Sequence, residues 1–387
     1  MRILLFDIDG VLVKPFGYRK AYFDTCQWLI NQGKLPVNIP ASDIPALFES
    51  YGVTSEWDML AITGAILIYF VCKENSIQLL STTLDAALHE LKQITFAPMN
   101  IDFRKHINSI SKAYQRNEIP SVGLLQSAEG FLPGLSKSLF VDILCQTRDA
   151  KQALLTRVFQ NFVLGSEIFT NTYHIDSLFP CNSYLKEYDK PLLDSSMKNS
   201  LNRKKVKDEL YFAALTARPS LGPRNYVGNK NIDYSPEAEL ALDVIQMPDM
   251  PLIGYGRLQY AEMINGFPAD SLIKPDSFHT LAAIFSLITG SEQSGIDVAS
   301  EMRKTNKLPS WIIDQVPNEM ELSVYEDSQG GVRSVRTAAE QLRKLGISVR
   351  THVYGVTSNE DKVNSLRQLD AMIFPDINTA LKYDINF

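Results

Sequence analysis

Residues 4–13 read L-L-F-D-I-D-G-V-L-V, an apolar run that carries two carboxylates one residue apart. The run from Ile3 to Phe6 has the character of a buried strand, and the residues after it form the turn that leaves it. Asp and Gly are ordinary punctuation at a strand end, which accounts for Gly10 better than for Asp7 and Asp9. On these residues alone a structural turn and a working pair of acids both stay open. The rest of the chain has to decide between them.

At 387 residues the chain exceeds what one core usually holds, so two or more domains are expected. Apolar residues make up 45% and charged residues 21%, an ordinary globular composition. The net charge of −6 offers no general attraction to nucleic acid or to an anionic membrane, so neither is an expected partner, and an anionic substrate must be held by a local site. Four cysteines, Cys26, Cys72, Cys145 and Cys181, lack metal-ligand or redox spacing and suit buried thiols in a reducing compartment. The sequence enters its first strand at Ile3 with no room for a secretory signal, so a cytoplasmic location is expected. The longest apolar run, Ala61 to Cys72, falls short of the roughly 20 residues that span a bilayer and reads as a buried helix. Nothing in the sequence indicates an oligomeric state.

From Tyr18 to about Phe179 the apolar spacing is helical: Leu84, Leu88 and Leu91 share one face, as do Leu155, Val158, Phe159 and Phe162. After about residue 205 short apolar runs alternate with amphipathic stretches, beginning with L-Y-F-A-A-L at 210–215 and continuing through L-S-V-Y at 322–325 and A-M-I-F at 371–374. That alternation predicts a mostly parallel sheet with crossover helices. One unit is especially legible. Val335, Ala338, Ala339, Leu342 and Leu345 line a helix face, Gly346 stands where a C-terminal cap belongs, and Ile347, Val349, Thr351 and Val353 alternate as a strand. The expected architecture is a doubly wound, mostly parallel, Rossmann-like α/β core made of residues 1–16 and 190–387, with a large α-helical domain, 17–189, inserted between them. The basic cluster Arg203, Lys204, Lys205 and Lys207 reads as a solvated helix face.

In a doubly wound sheet, ligands bind beyond the carboxyl ends of the strands. Asp7 and Asp9 lie just past such an end; Thr216 follows F-A-A-L, Lys274 lies in S-L-I-K-P-D, and Glu326 with Asp327 follows S-V-Y. These are the parts for phosphoryl transfer. A carboxylate can attack phosphorus and form an aspartyl-phosphate, and a second carboxyl can protonate the leaving oxygen and later take a proton from water. Clustered carboxylates repel one another, so a divalent cation and a lysine are needed to keep the nucleophile ionised. Mg²⁺ prefers oxygen ligands of the kind Asp7 and Asp327 supply.

The stretch F-D-I-D-G-V-L-V resembles the first motif of the haloacid dehalogenase-like hydrolase superfamily, and L-T-A-R-P, L-I-K-P-D and Y-E-D-S-Q-G-G resemble its second, third and fourth, in the right order. The resemblance covers about half the chain. It implies that Asp7 is the nucleophile, that Asp9 is the acid/base and lends a backbone carbonyl to the metal, that Thr216 binds the transferring phosphoryl group, and that Lys274 holds nucleophile and phosphate. It further implies that Asp327 anchors Mg²⁺, with Glu326 supporting the metal directly or through water. The insertion is similar in position to the helical caps of that superfamily, which close over the site and choose the substrate, with G-Y-R-K-A-Y at 17–22 as the hinge.

The expected function is therefore a Mg²⁺-dependent phosphatase acting on a small phosphorylated metabolite. A phosphomutase using the same aspartyl-phosphate, or a catalytically weak binding protein on the same fold, are the alternatives. Dehalogenation is disfavoured because that branch dispenses with the carboxylate of Asp9. Arg19 at the insertion's entrance and Arg218 are candidate contacts to substrate, each weighed against a solvated surface arginine. The segment T-A-R-P-S-L-G-P-R at 216–224 lacks P-loop lysine spacing, and both His279 and His352 read as structural.

Overall fold

The computed structural model describes residues 1–110, 120–131, 136–207, 209–224 and 234–385. The chain forms two compact units: one comprises Met1–Pro15 and Asp189–Phe387, the other Phe16–Tyr188.

The first unit is built around β1 (Arg2–Asp7), the strand that opens the sequence. Five more strands join it, β4 (Tyr211–Leu215), β5 (Leu252–Ile253), β6 (Glu319–Glu326), β7 (Ser348–Val356) and β8 (Met372–Phe374), in the order β5-β4-β1-β6-β7-β8. Every pairing is parallel. Two short strands, β2 (Val13–Lys14) and β3 (Lys190–Pro191), form a separate antiparallel pair where the chain leaves this unit and returns to it.

A parallel strand is covered on both faces, which is why β1 is apolar without interruption. Ile3 and Leu5 join a cluster with Phe278, Leu281, Phe285, Val335 and Leu342 from the helices Ser277–Thr289 and Gln329–Lys344. Leu4 and Phe6 point the other way, to Met197, Leu201, Ala241, Leu242 and Leu381 of the helices Ser195–Val206, Glu237–Val244 and Ile377–Ile385. The result is a doubly wound α/β sandwich of three layers. Phe6, Tyr325 and Tyr354 stack across three adjacent strands at centroid separations of 4.8 and 5.2 Å. Asp384 accepts from Tyr325 Oη at 2.6 Å and from Arg2 at 3.0 Å, tying the last helix to that ladder.

The unit read between 335 and 353 is present: helix Gln329–Lys344, Gly346 at φ +88°, then β7. The basic residues from Arg203 to Lys205 occupy the last turn of helix Ser195–Val206, where they favour the dipole's negative end. The four cysteines are free, and burial pushes the thiols of Cys26 and Cys72 up to about 12.

The second unit is all helical among its described residues. Its centre is the helix Glu56–Glu74, whose residues from Asp58 to Tyr69 are all buried. Asp58 is tolerated inside because Ser121, Thr147 and Arg148 donate to it at 2.7, 3.1 and 3.0 Å. The expected faces are present: Leu84, Leu88 and Leu91 are buried, as are Leu155, Val158 and Phe159, while half-buried Phe162 packs its ring at a tilt against Phe179 and Tyr184. Among the described residues no helix is long and apolar enough to cross a membrane.

Candidate active site

Sheet order places the site. From β1 the chain adds β4 and then β5 on one side, and β6, β7 and β8 on the other, so the direction of winding reverses at β1. A crevice opens at such a reversal, beyond the carboxyl ends of the strands. Asp7 ends β1, Glu326 ends β6, and Thr216 follows the last residue of β4. The register sets Asp7 opposite Leu215, one residue before Thr216.

The turn after Asp7 is tight. Ile8 O accepts from the N–H groups of Leu12 and Val13, both at 2.9 Å, and Gly10 N donates to Val13 O at 2.8 Å. Gly10 has φ +79°, and a Cβ there would lie 2.5 Å from Asp327 Oδ2, so the Asp327 carboxyl packs against bare backbone. Gly331 plays the same part on the other wall: a Cβ there would lie 1.7 Å from Glu326 Oε1. The helix Gln329–Lys344 starts against that carboxyl, with Ser328 as its N-cap.

Lys274 sits at the centre. Its ammonium donates to Asp7 Oδ1 and to Leu215 O, both at 3.0 Å, and to Glu326 Oε1. Those three bonds use all its donors. Asp276 caps the following helix by accepting from Phe278 N at 2.8 Å, which fixes the loop that carries the lysine. Glu326 is fully buried, with Oε2 accepting from Ser328 Oγ at 3.0 Å. One oxygen each from Asp7, Glu326 and Asp327 lies within 4.8 Å of the others. Asp327 also pairs with Lys362 at the start of helix Glu360–Arg367.

The electrostatics follow from two buried acids, Asp7 and Glu326, sharing one buried lysine with Asp327 close by. Burial first, and then the charge of Glu326, hold the Asp7 carboxyl well above the carboxylate range, with Lys274 only partly opposing them. Glu326 is raised by burial against the opposing pull of Lys274. Burial alone would lower Lys274, but Asp7 and Glu326 together hold it above its ordinary value. The pocket is short of positive charge, and its open donors are carboxylate oxygens, the set that a hard divalent cation takes.

The remaining expected residues have partners other than Lys274. Asp9 faces Arg218, whose Nε donates to both carboxylate oxygens at 3.0 and 2.8 Å and whose Nη2 donates to Oδ1 at 2.6 Å. Nη2 also reaches Asp189 at 2.9 Å. The sequence makes Arg218 a candidate substrate contact; in the fold it is buried and engaged by two carboxylates. Thr216 is buried, and its hydroxyl accepts from Arg218 N at 3.1 Å. Arg19, the other expected substrate contact, belongs to the helical unit, where it pairs with Glu49 and lies 4.0 Å from Glu56. Sequence reasoning misses Asp189 and Lys362. Neither sits in a patterned stretch, and only the fold brings them to Arg218 and Asp327.

No protein-family model matches the chain, and comparison with curated proteins gives no match. Among solved structures, the X-ray structure of a Northeast Structural Genomics Consortium target is similar over 99% of this chain and 98% of its own, at TM-score 0.68 and 16% identity. Phosphatase Tt82 from Thermococcus thioreducens aligns over 94% of this chain and 99% of its own, at TM-score 0.43 and 14% identity. The first likeness concerns the fold alone, and the second is too distant to carry an argument.

Proposed function

We propose that the chain is a Mg²⁺-dependent phosphohydrolase of the haloacid dehalogenase-like type, acting on a small phosphomonoester through a phosphorylated Asp7. The observation that carries this reading is the ammonium of Lys274 bridging Asp7 and Glu326 at the strand ends where the sheet reverses. A lysine so placed holds the nucleophile's carboxylate and offers positive charge to the equatorial oxygens of a phosphoryl group.

Asp7 and Asp327, each with an oxygen in the acidic cluster, would hold a Mg²⁺ ion, and the resemblance adds the backbone carbonyl of Asp9 as the further ligand. Both oxygens of Glu326 are engaged by Lys274 and Ser328, so its part is to hold the lysine and shape the pocket. When bound, the ion neutralises the anionic site and substrate. In the first half-reaction an Asp7 oxygen attacks phosphorus, the P–O ester bond breaks, and Asp9 gives its proton to the departing oxygen. In the second, Asp9 takes a proton from water, the water oxygen attacks the aspartyl-phosphate, and inorganic phosphate leaves with Asp7 regenerated. Thr216, one residue past the strand partner of Asp7, would offer its hydroxyl proton to the transferring group.

The test is a panel of phosphomonoesters assayed for free phosphate with Mg²⁺ and with EDTA. Release that stops in chelator, returns with Mg²⁺ and is absent from Asp7→Asn is the expected result. An isomerised ester without free phosphate would replace this reading by a mutase, and no turnover of any ester would favour a binding protein.

A further inference from the structure

We propose that Asp189 is a positioning residue for Asp9, acting through Arg218; the inference rests on the phosphohydrolase reading. Three observations carry it. The side chains of Arg218 and Asp189 are 2% and 0% exposed, whereas that of Asp9 is 35% exposed. Arg218 grips both oxygens of Asp9 through its Nε and Nη2 edge, and the same Nη2 is held by Asp189 at 2.9 Å. The backbone of Arg218 is fixed as well, with N–H on Thr216 Oγ1 at 3.1 Å and C=O accepting from Tyr255 N at 3.0 Å.

The backbone ties the same parts a second time. Asp9 bridges Val13, Val13 pairs with Pro191 and Lys14 with Lys190, and Asp189 immediately precedes Lys190. The relay Asp189–Arg218–Asp9 therefore closes a ring that begins and ends on the β2–β3 pair. A buried ion pair costs desolvation that its attraction barely offsets, so it is weak evidence for stability. Fixing the planar fork of an arginine is what such a pair does well. Asp9 is the exposed end of the relay, and Asp189 is its anchor.

A purely structural Asp189 and a positioning Asp189 differ in one readout. Protonation of the leaving group matters for an alkyl phosphate and little for p-nitrophenyl phosphate, whose phenolate departs unaided. Asp189→Asn is nearly isosteric and keeps an acceptor for Arg218 but loses the charge. In single turnover its rate of ester cleavage is expected to fall about 30-fold for an alkyl phosphate, part of the roughly 10²–10⁴-fold worth of a general acid, while the p-nitrophenol burst from p-nitrophenyl phosphate slows less than about threefold; the water step that follows uses Asp9 whichever ester was cleaved and slows equally for both. Arg218→Lys, which keeps the charge but not the fork, is expected to give the same selective loss. In an Asp9→Asn background, Asp189→Asn is expected to add nothing, because the group it positions is gone.

Equal losses of the cleavage rate on both esters, no loss on either, or full additivity with Asp9→Asn would overturn the inference while leaving the phosphohydrolase reading intact. Absence of phosphate release by the unsubstituted protein would overturn that reading, and the inference with it.

Discussion

Acid should destabilise the α/β unit through His279. This side chain lies fully buried in helix Ser277–Thr289; its Nε2 donates to Ile253 O at 2.7 Å and its Nδ1 has no partner. A charged imidazolium is poorly accommodated there, and burial, followed by the charge of Lys274, pushes the group down from 6.5 to about 3. In the unfolded chain it takes up a proton below pH 6.5, whereas in the folded chain it stays neutral until about pH 3. The unfolded state thus binds more protons through that window, so stability falls as pH falls. Each pH unit costs about 1.4 kcal/mol, which gives about 2 kcal/mol at pH 5 and about 5 kcal/mol below pH 3. His279→Gln keeps a donor for Ile253 O and cannot titrate. Pulse proteolysis across a urea gradient, with cleavages in 209–385 located by mass spectrometry, reads the stability of this unit by itself. The unsubstituted protein should lose about 2 kcal/mol more than His279→Gln between pH 8 and pH 5. Parallel losses in the two proteins would refute the reasoning, since the acid sensitivity would then belong to other groups.

Lys274→Met should abolish turnover and, by leaving Asp7 and Glu326 facing each other without a cation, cost about 3–5 kcal/mol in chemical unfolding; adding Glu326→Gln should restore much of the stability and none of the activity. Gly331→Ala drives a methyl into Glu326 Oε1 and should cost about 1–3 kcal/mol together with a loss of turnover, read by melting temperature and phosphate release. Asp9→Asn should release p-nitrophenol in a burst approaching one equivalent and then stall with a hydroxylamine-labile phosphate on the protein, whereas Asp7→Asn should show no burst. A near-normal steady-state rate in both would show that the pair is only a turn.

The parts of this molecule that are local in sequence are legible there. β1 announces itself as a short apolar run ending in acids, and helix Gln329–Lys344, Gly346 and β7 announce themselves by a change of period across a glycine. β5 does not, because a strand of two residues carries no periodicity; it exists through the backbone of Ala214, Leu215 and Thr216. β2 and β3 escape for the same reason, since the paired Lys14 and Lys190 lie far apart along the chain. Among the site residues, Lys274 can be tied to the acids by its motif, but the engagement of Arg218 depends on Asp189, a linker residue with nothing in its neighbourhood to mark it. An arginine looks the same in sequence whether its partner is a ligand or a buried carboxylate.

The place of β1 in the sheet bears on how the chain comes off the ribosome. The strand made first ends between two neighbours, and β6 emerges only after the whole helical unit and most of the core have been synthesised. At about 5–20 residues per second that wait lasts roughly 15–60 s. Until β4 is made, Ile-Leu-Leu-Phe stands without either neighbour, and until β6 is made it has only one edge paired. Slowing translation between β4 and β6 should therefore lengthen the exposure of that open edge and lower the yield of folded protein.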